Sequence, residues 1–313
     1  MKSNNLFISE LINNVERRGG LFNAHLHLGR ANTIENIADA HLSLDEKHLK
    51  IRDVYRQQTS CENYFSRIES CIEELMSYKT KRADTCVDIF DEIGLESFRI
   101  FLALRDKYKN VIDLHLGAYS PYQISPVIYD LLVESAKDAD FICSLPDEHG
   151  DFLGDIEKTF DLASRFNKQP HFHLDQKNIP SENGTEILCD VMEAHGIRGA
   201  WAVHVISPSS YDDARFFSLV DRLLKNDVGV ITCPSGAISM VQRRDVLAPT
   251  HNCIARVWDF VNAGVNVKVG SDNSGDMLSP ATTLNLTDEL MLLANATRNY
   301  NVTALAKVAT MDG

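Results

Sequence analysis

The chain has no run of about 18 continuous apolar residues, so it holds no candidate membrane-spanning helix. Its opening, MKSNNLFISELINNVERRGG, lacks an apolar stretch of signal-peptide length. Its seven cysteines (Cys61, Cys71, Cys86, Cys143, Cys189, Cys233, Cys253) are odd in number, and no two have CxxC spacing. This reads as reduced thiols in a cytoplasmic protein rather than a disulfide framework. Basic charge is scarce: 31 Lys and Arg face 44 Asp and Glu, a formal charge of −13. Phosphate binding needs a basic surface, so a nucleic-acid partner is not expected, and neither is a membrane. No linker rich in Pro, Gly or Ser divides the chain, and no internal repeat, glycine-rich phosphate loop or serine nucleophile elbow is present.

What remains is ordinary globular composition, 44% hydrophobic and 24% charged over 313 residues, enough for a large core without staples. Short β-rich runs alternate with longer amphipathic ones, the pattern of parallel strands joined by helices. Eight runs read as strands: 21–28, 83–89, 111–119, 141–145, 170–174, 199–205, 228–234 and 265–271. Helical patterns cover 96–109, 126–139, 159–168, 185–196, 211–227 and 252–264, with Gly196 and Gly264 as natural stops. The expected fold is α/β, a (β/α)8 TIM barrel spanning 1–313 as one unit, with an enlarged excursion at 29–82 that could shape the mouth of a pocket.

The most informative residues lie at strand ends. In GGLFNAHLHLGR, His25 and His27 are two apart, so both face one side of a strand and can reach one ion. HFHLDQ supplies His173, AVHVIS supplies His204, and VKVGSDNSGD supplies Asp272. A barrel places its catalytic groups at the C-terminal ends of the strands, where all five fall. Imidazoles and a carboxylate gathered there point to a hydrolytic metal site. Taken singly, His25 and His27 could be satisfied core groups and Asp272 an Asx turn. His171 lies deeper on its strand and reads as a packed interior histidine, and His115 could line the pocket. His41, His48, His149, His195 and His251 read as surface or loop residues, and Cys86 and Cys143 as small core residues.

Through AHLHL, RADTCVDI, HFHLDQ, AVHVIS, ITCPSGAISM and VGSDNSGD, in that order, the chain resembles the amidohydrolase superfamily and within it the cytosine deaminase-like branch. The resemblance implies one divalent metal, zinc first, with iron or manganese compatible with the same ligands. It implies His25, His27, His173 and Asp272 as ligands, and His204 beside the activated water. Binuclear relatives often carry a carboxylated lysine at the end of strand 4. FICSLPDEHG has none, which favours one metal. Relatives also carry a small β-sandwich built from both termini, for which this chain leaves no room.

Two positions depart from the branch. Gln176 stands where a proton-shuttling glutamate is usual, and Asn273 where an aspartate follows the strand-8 ligand. A carboxamide exchanges no proton near neutrality, so the acid role would pass to Asp272, Asp175 or the substrate. Gln176, Asn273 and Asp175 are candidate substrate contacts. Arg243 and Arg244 could clamp an anionic group, or be a solvated pair.

The expected function is a metal-dependent amidohydrolase that cleaves a C–N bond of a small, cyclic, nitrogen-containing metabolite by metal-activated water, with His204 and Asp272 catalytic. The first alternative is deamination of a cytosine-like amino-heterocycle. The second is a non-catalytic relative that keeps the metal and binds a ligand. The partner is a small-molecule substrate, and a homo-oligomer stays open.

Overall fold

The computed structural model describes residues 5–34, 42, 46–47, 50, 61–90, 93–121, 124–146, 150–239 and 254–312. Eight parallel strands follow one another around a (β/α)8 barrel in sequence order: β1 Leu21–Leu26, β2 Thr80–Asp88, β3 Asp113–Ser120, β4 Phe141–Ser144, β5 Gln169–Leu174, β6 Ala200–His204, β7 Val228–Thr232 and β8 Val267–Val269. Each corresponds to one of the eight apolar runs. The barrel closes where β8 meets β1. Leu26 bridges Asp272, the Asp272 N–H donates to His25 O at 3.0 Å, and Asn23 exchanges two hydrogen bonds with Ser271. Gly270 permits that approach, since a Cβ there would stand 2.5 Å from His25 O.

Helices join the strands and pack outside, apart from the short one at Pro234–Ile238, which borders the barrel mouth. They are α1 Leu6–Arg17, α2 Cys61–Ser77, α3 Glu96–Tyr108, α4 Pro126–Ala136, α5 Phe152–Phe166, α6 Gly184–His195, α7 Asp213–Asn226, α8 Pro234–Ile238, α9 Val257–Ala263, α10 Leu286–Thr297 and α11 Val302–Val308. The helix α7 shows why these segments form. Asp212 caps its first turn by accepting from Arg215 N at 2.9 Å, and Asp227 ends it in the left-handed region. Between them Phe216, Leu219, Val220 and Leu223 recur at helical spacing and are buried. Each such side chain contributes roughly 1.5–3 kcal/mol by leaving water. Gly196 and Gly264 end α6 and α9 at φ 64° and 95°, as the sequence led us to expect. α5 starts at Phe152, seven residues before the pattern at 159–168, because Asp151 caps it through Gly154 N.

Residues 29–82 are less extended than expected, since β2 begins at Thr80. Within them α2 is tied to the end of β1 by Arg67, which donates to Ala31 O at 2.6 Å and Gly29 O at 3.0 Å. Residues 35–41, 43–45, 48–49 and 51–60 lie outside the described residues.

The bulge in β1 matters most for the site. Phe22 and Ala24 pack with Val203 and Ile231 inside the barrel, while Leu26 packs outside with the β2-side helices. Inward facing thus shifts from even to odd residues, where three steps along β1, from Asn23 to Leu26, match two on β2. A bulge re-aims the side chains that follow it. Here it turns His25 and His27 inward after two apolar inward positions.

Candidate active site

The C-terminal mouth of the barrel brings together His25 and His27 from β1, His173 from β5, His204 from β6 and Asp272 just beyond β8. All five are buried. His25 Nε2 lies 3.1 Å from His173 Nε2 and 3.6 Å from Asp272 Oδ1, and His27 Nε2 lies 3.5 Å from the same oxygen. Bonds of about 2.0–2.2 Å to one tetrahedral zinc put its ligand atoms roughly 3.3–3.6 Å apart. These three distances fit a divalent metal ion. His25, His204 and Asp272 also form a triad of donor atoms within 4.8 Å of one another.

Tautomer and charge agree with that fit. His173 Nδ1 lies 3.0 Å from Ser144 O and donates to it, so Nε2 presents its bare lone pair. Burial, with the charge of His25 nearby, lowers His173 far below the usual imidazole range. Burial and Arg30 do the same for His27, and burial lowers His204 to about 4. All three are neutral near pH 7, as ligation requires.

His25 differs. Burial opposes its charge, yet Cys86 and Asp272 outweigh this and hold its pKa up at about 9. Burial keeps the Cys86 thiol itself protonated, so Asp272 is the partner that counts. Burial would raise Asp272, but the surrounding imidazoles, His25 first, hold it well below the carboxylate range.

The backbone is strained where it delivers these groups. His204, Val205 and Asp272 have φ of 79°, 49° and 59°. Such conformations cost on the order of 1–3 kcal/mol each, and a β-branched residue is the least suited to them. Hydrogen bonds from Val205 N to Leu174 O and from Ile206 N to Asp175 O hold the β6 end in place. Gly236 of α8 leaves room for the carboxylate, since a Cβ there would stand 2.6 Å from Asp272 Oδ2.

Gln176 and Asn273 line the pocket. Asn273 Nδ2 donates to Asp272 Oδ1 at 3.1 Å, which fixes its amide orientation, and Asn273 Oδ1 has no partner among the described residues. Asp175 does not join them. Its φ of 56° turns it towards α6, where Oδ1 accepts from Gly184 N at 2.6 Å and Oδ2 from Thr185 N at 3.0 Å. The carboxylate anchors a helix start and is not among the pocket-lining residues. Arg243 and Arg244 lie outside the described residues. His115 sits near the start of β3, 3.2 Å from Asp113, away from the mouth.

Several site residues escaped the sequence reading. Arg30 lines the pocket and pairs with Asp88, with Nε 3.2 Å from Oδ2 and a closer contact from Nη2 to Oδ1. Tyr119 lines the pocket beside His27, its ring centroid 5.4 Å away. Cys86 Sγ lies 3.9 Å from His25 Nδ1 and Cys143 Sγ 3.5 Å from His173 Nδ1. Cys86 also belongs to a group with His25, His27 and His173 whose donor atoms lie within 4.8 Å of one another. It meets His25 at Nδ1, whereas His173 and Asp272 meet it at Nε2, so it stands behind the ligand ring. Alternation along β2 and β4 could have placed both thiols inside the barrel, but not their contact with the histidine rings of the neighbouring strands β1 and β5.

No family model matches the chain. A protein of Haemophilus influenzae described as uncharacterized is 31% identical over 255 residues, covering 78% of this chain and 91% of that protein. Among solved structures, a 5-methylcytosine deaminase from Klebsiella pneumoniae bound to 5-fluorocytosine superposes with TM-score 0.79 at 22% identity, over 89% of this chain and 68% of that one. N-isopropylammelide isopropylaminohydrolase from Burkholderia multivorans gives 0.73 at 17%, over 94% and 75%. An N6-methyl-AMP deaminase from Arabidopsis thaliana gives 0.61 at 14%, over 93% and 91%. The chain therefore belongs to one family with the Haemophilus influenzae protein, and its (β/α)8 barrel shares the fold of these solved structures.

Proposed function

We propose that the protein is a metal-dependent hydrolase of a C–N bond in a small, cyclic, nitrogen-containing substrate. The observation that supports this is the pair of donor groups at the barrel mouth that share His25, one with His27, His173 and Cys86 and one with His204 and Asp272. His25, His27, His173 and Asp272 would hold one divalent ion, for which zinc suits the nitrogen-rich set. When bound, such an ion lowers the pKa of water towards neutrality and polarises the carbon under attack.

The remaining chemistry belongs to side chains. Asp272 is kept ionised and lies in the pocket, so its carboxylate can take a proton from the attacking water and return it to the leaving nitrogen. His204 is neutral and buried. Its ring N–H can orient the water or stabilise the developing oxyanion. Gln176, a neutral amide, orients the substrate and carries no proton.

A second reading within this class is deamination of an amino-heterocycle. The names of the structural neighbours favour it, a 5-methylcytosine deaminase and an isopropylaminohydrolase among them. The metal-loaded protein should turn over at least one member of a panel of cyclic amides and amino-heterocycles. Ammonia release with an intact ring identifies deamination, and ring opening without ammonia identifies amide hydrolysis. Tight binding with no product from any member would make the protein a binder and remove the catalytic reading.

A further inference from the structure

The protein has a formal charge of −13, but its pocket has a different balance. Among the described lining residues Asp272 is the sole carboxylate, and it faces the imidazoles. Two cations share the lining, Arg30 and Lys47. Arg30 is matched by Asp88. Among the described residues Lys47 is not matched in this way. It is buried, and among the described residues its hydrogen bond goes to a neutral acceptor, Nζ donating to Leu278 O at 3.3 Å. Asp276 acts on it only at longer range and directs Oδ1 to the N–H groups of Leu278 and Ser279.

A buried ammonium with no close counter-ion among the described residues is unfavourable unless something arrives to pair with it. Two further features point the same way. Gln176 and Asn273 are neutral, so neither puts a negative charge beside an incoming anion. Each also keeps one buried polar atom without a partner among the described residues, Gln176 Nε2 and Asn273 Oδ1, which leaves a donor and an acceptor for a ring carrying both.

We propose that Lys47 is a specificity residue, and that the substrate is a small cyclic amide or amino-heterocycle bearing a carboxylate away from the bond that is cleaved. This rests on the hydrolase reading above and adds the charged substituent to it. One lysine tempered by a distant Asp276 matches a monoanion better than a phosphate dianion.

The test uses two matched pairs, 2-pyrrolidinone with pyroglutamate and cytosine with cytosine-5-carboxylate. Binding to the metal-loaded protein is measured by calorimetry, with metal content determined in parallel. The wild type should bind at least one carboxylated member tenfold or more tightly than its neutral twin. Lys47→Met, similar in length and uncharged, should bring the twins to equal affinity. Lys47→Glu should reverse the order. Lys47→Arg should keep the preference, which separates lost charge from lost fold. Equal binding of the twins by wild type, no binding of either carboxylate, or a preference that survives Lys47→Met would each overturn the assignment. A wild type that takes up no metal would defeat the hydrolase reading itself. Stoichiometric metal with no carboxylate preference would defeat only the role of Lys47.

Discussion

His171 and His173 lie two residues apart on β5 and face the same barrel interior, yet their surroundings differ. His171 stacks on Phe141 with ring centroids 4.3 Å apart, and burial lowers its pKa to about 3. His173 points a bare nitrogen at His25. The two ends of the barrel repeat this contrast on a larger scale. Near the start of β2, Arg82 and Asp84 satisfy each other through two hydrogen bonds of 2.8 and 3.0 Å, and Arg82 covers the face of Phe22. At the mouth, nitrogen and oxygen atoms converge in groups that could hold a metal ion, two of them, His204 and Asp272, on backbone held at positive φ. Polar groups at one end of the barrel complete the fold; at the other they gather donor atoms that could hold a metal ion. Depth along a strand, not residue type, separates the two roles.

The strongest way to break the comparison is His25→Ala. It removes a ligand atom, so bound metal should fall below stoichiometric and kcat/KM by about 10³-fold or more, while circular dichroism still reports a folded barrel. Retention of full metal would place the site elsewhere.

Glu289 sharpens it. This buried carboxyl accepts from Ser235 N at 2.9 Å at the start of α8, and burial, aided by the nearby Asp272 charge, raises its pKa to about 7. A raised folded pKa favours the folded state fully below the unfolded value near 4.5, and this advantage is lost as pH rises through 7. In metal-free protein the wild type should therefore lose on the order of 3 kcal/mol relative to Glu289→Gln between pH 4.5 and 8, measured by urea unfolding. Parallel stability curves would show that Glu289 ionises normally.

At the closed end, Asp84→Asn should cost stability and spare chemistry. Breaking a buried pair is expensive, but Arg82 is a quarter exposed, so about 2 kcal/mol is expected. A fall in kcat with unchanged metal content would contradict the division between the two ends. Smallest of all should be His171→Phe, which keeps a ring against Phe141 and removes the unpartnered Nδ1. Stability should change by less than about 1.5 kcal/mol, with metal content unchanged. Loss of metal in this variant would make depth on β5 irrelevant.

Much of this was legible in the chain. Period-2 apolar runs separated by amphipathic segments gave eight strands in order, because both patterns follow from local side-chain geometry. The gathering of the HxH pair with the later His, His and Asp at one mouth was legible because strand ends of a barrel share one rim. Asp175 was harder: beside Gln176 in sequence it reads as a pocket residue, but positive φ sends its side chain to cap α6. Arg30 and Lys47 sit in an excursion whose path follows from contacts with α2 and the β8 loop, and local pattern carries no record of those contacts.

By itself the sequence determined the strand count, the acidic surface and which residue types could hold a metal, since periodicity and ligand chemistry are local properties. The tertiary structure decided which of two histidines on one strand faces the cluster, which carboxylate is free to act, and that a protein of net negative charge keeps a buried lysine at its pocket. Those outcomes depend on the β1 bulge, on the closure of β8 against β1 and on burial, all of which arise only when distant segments meet.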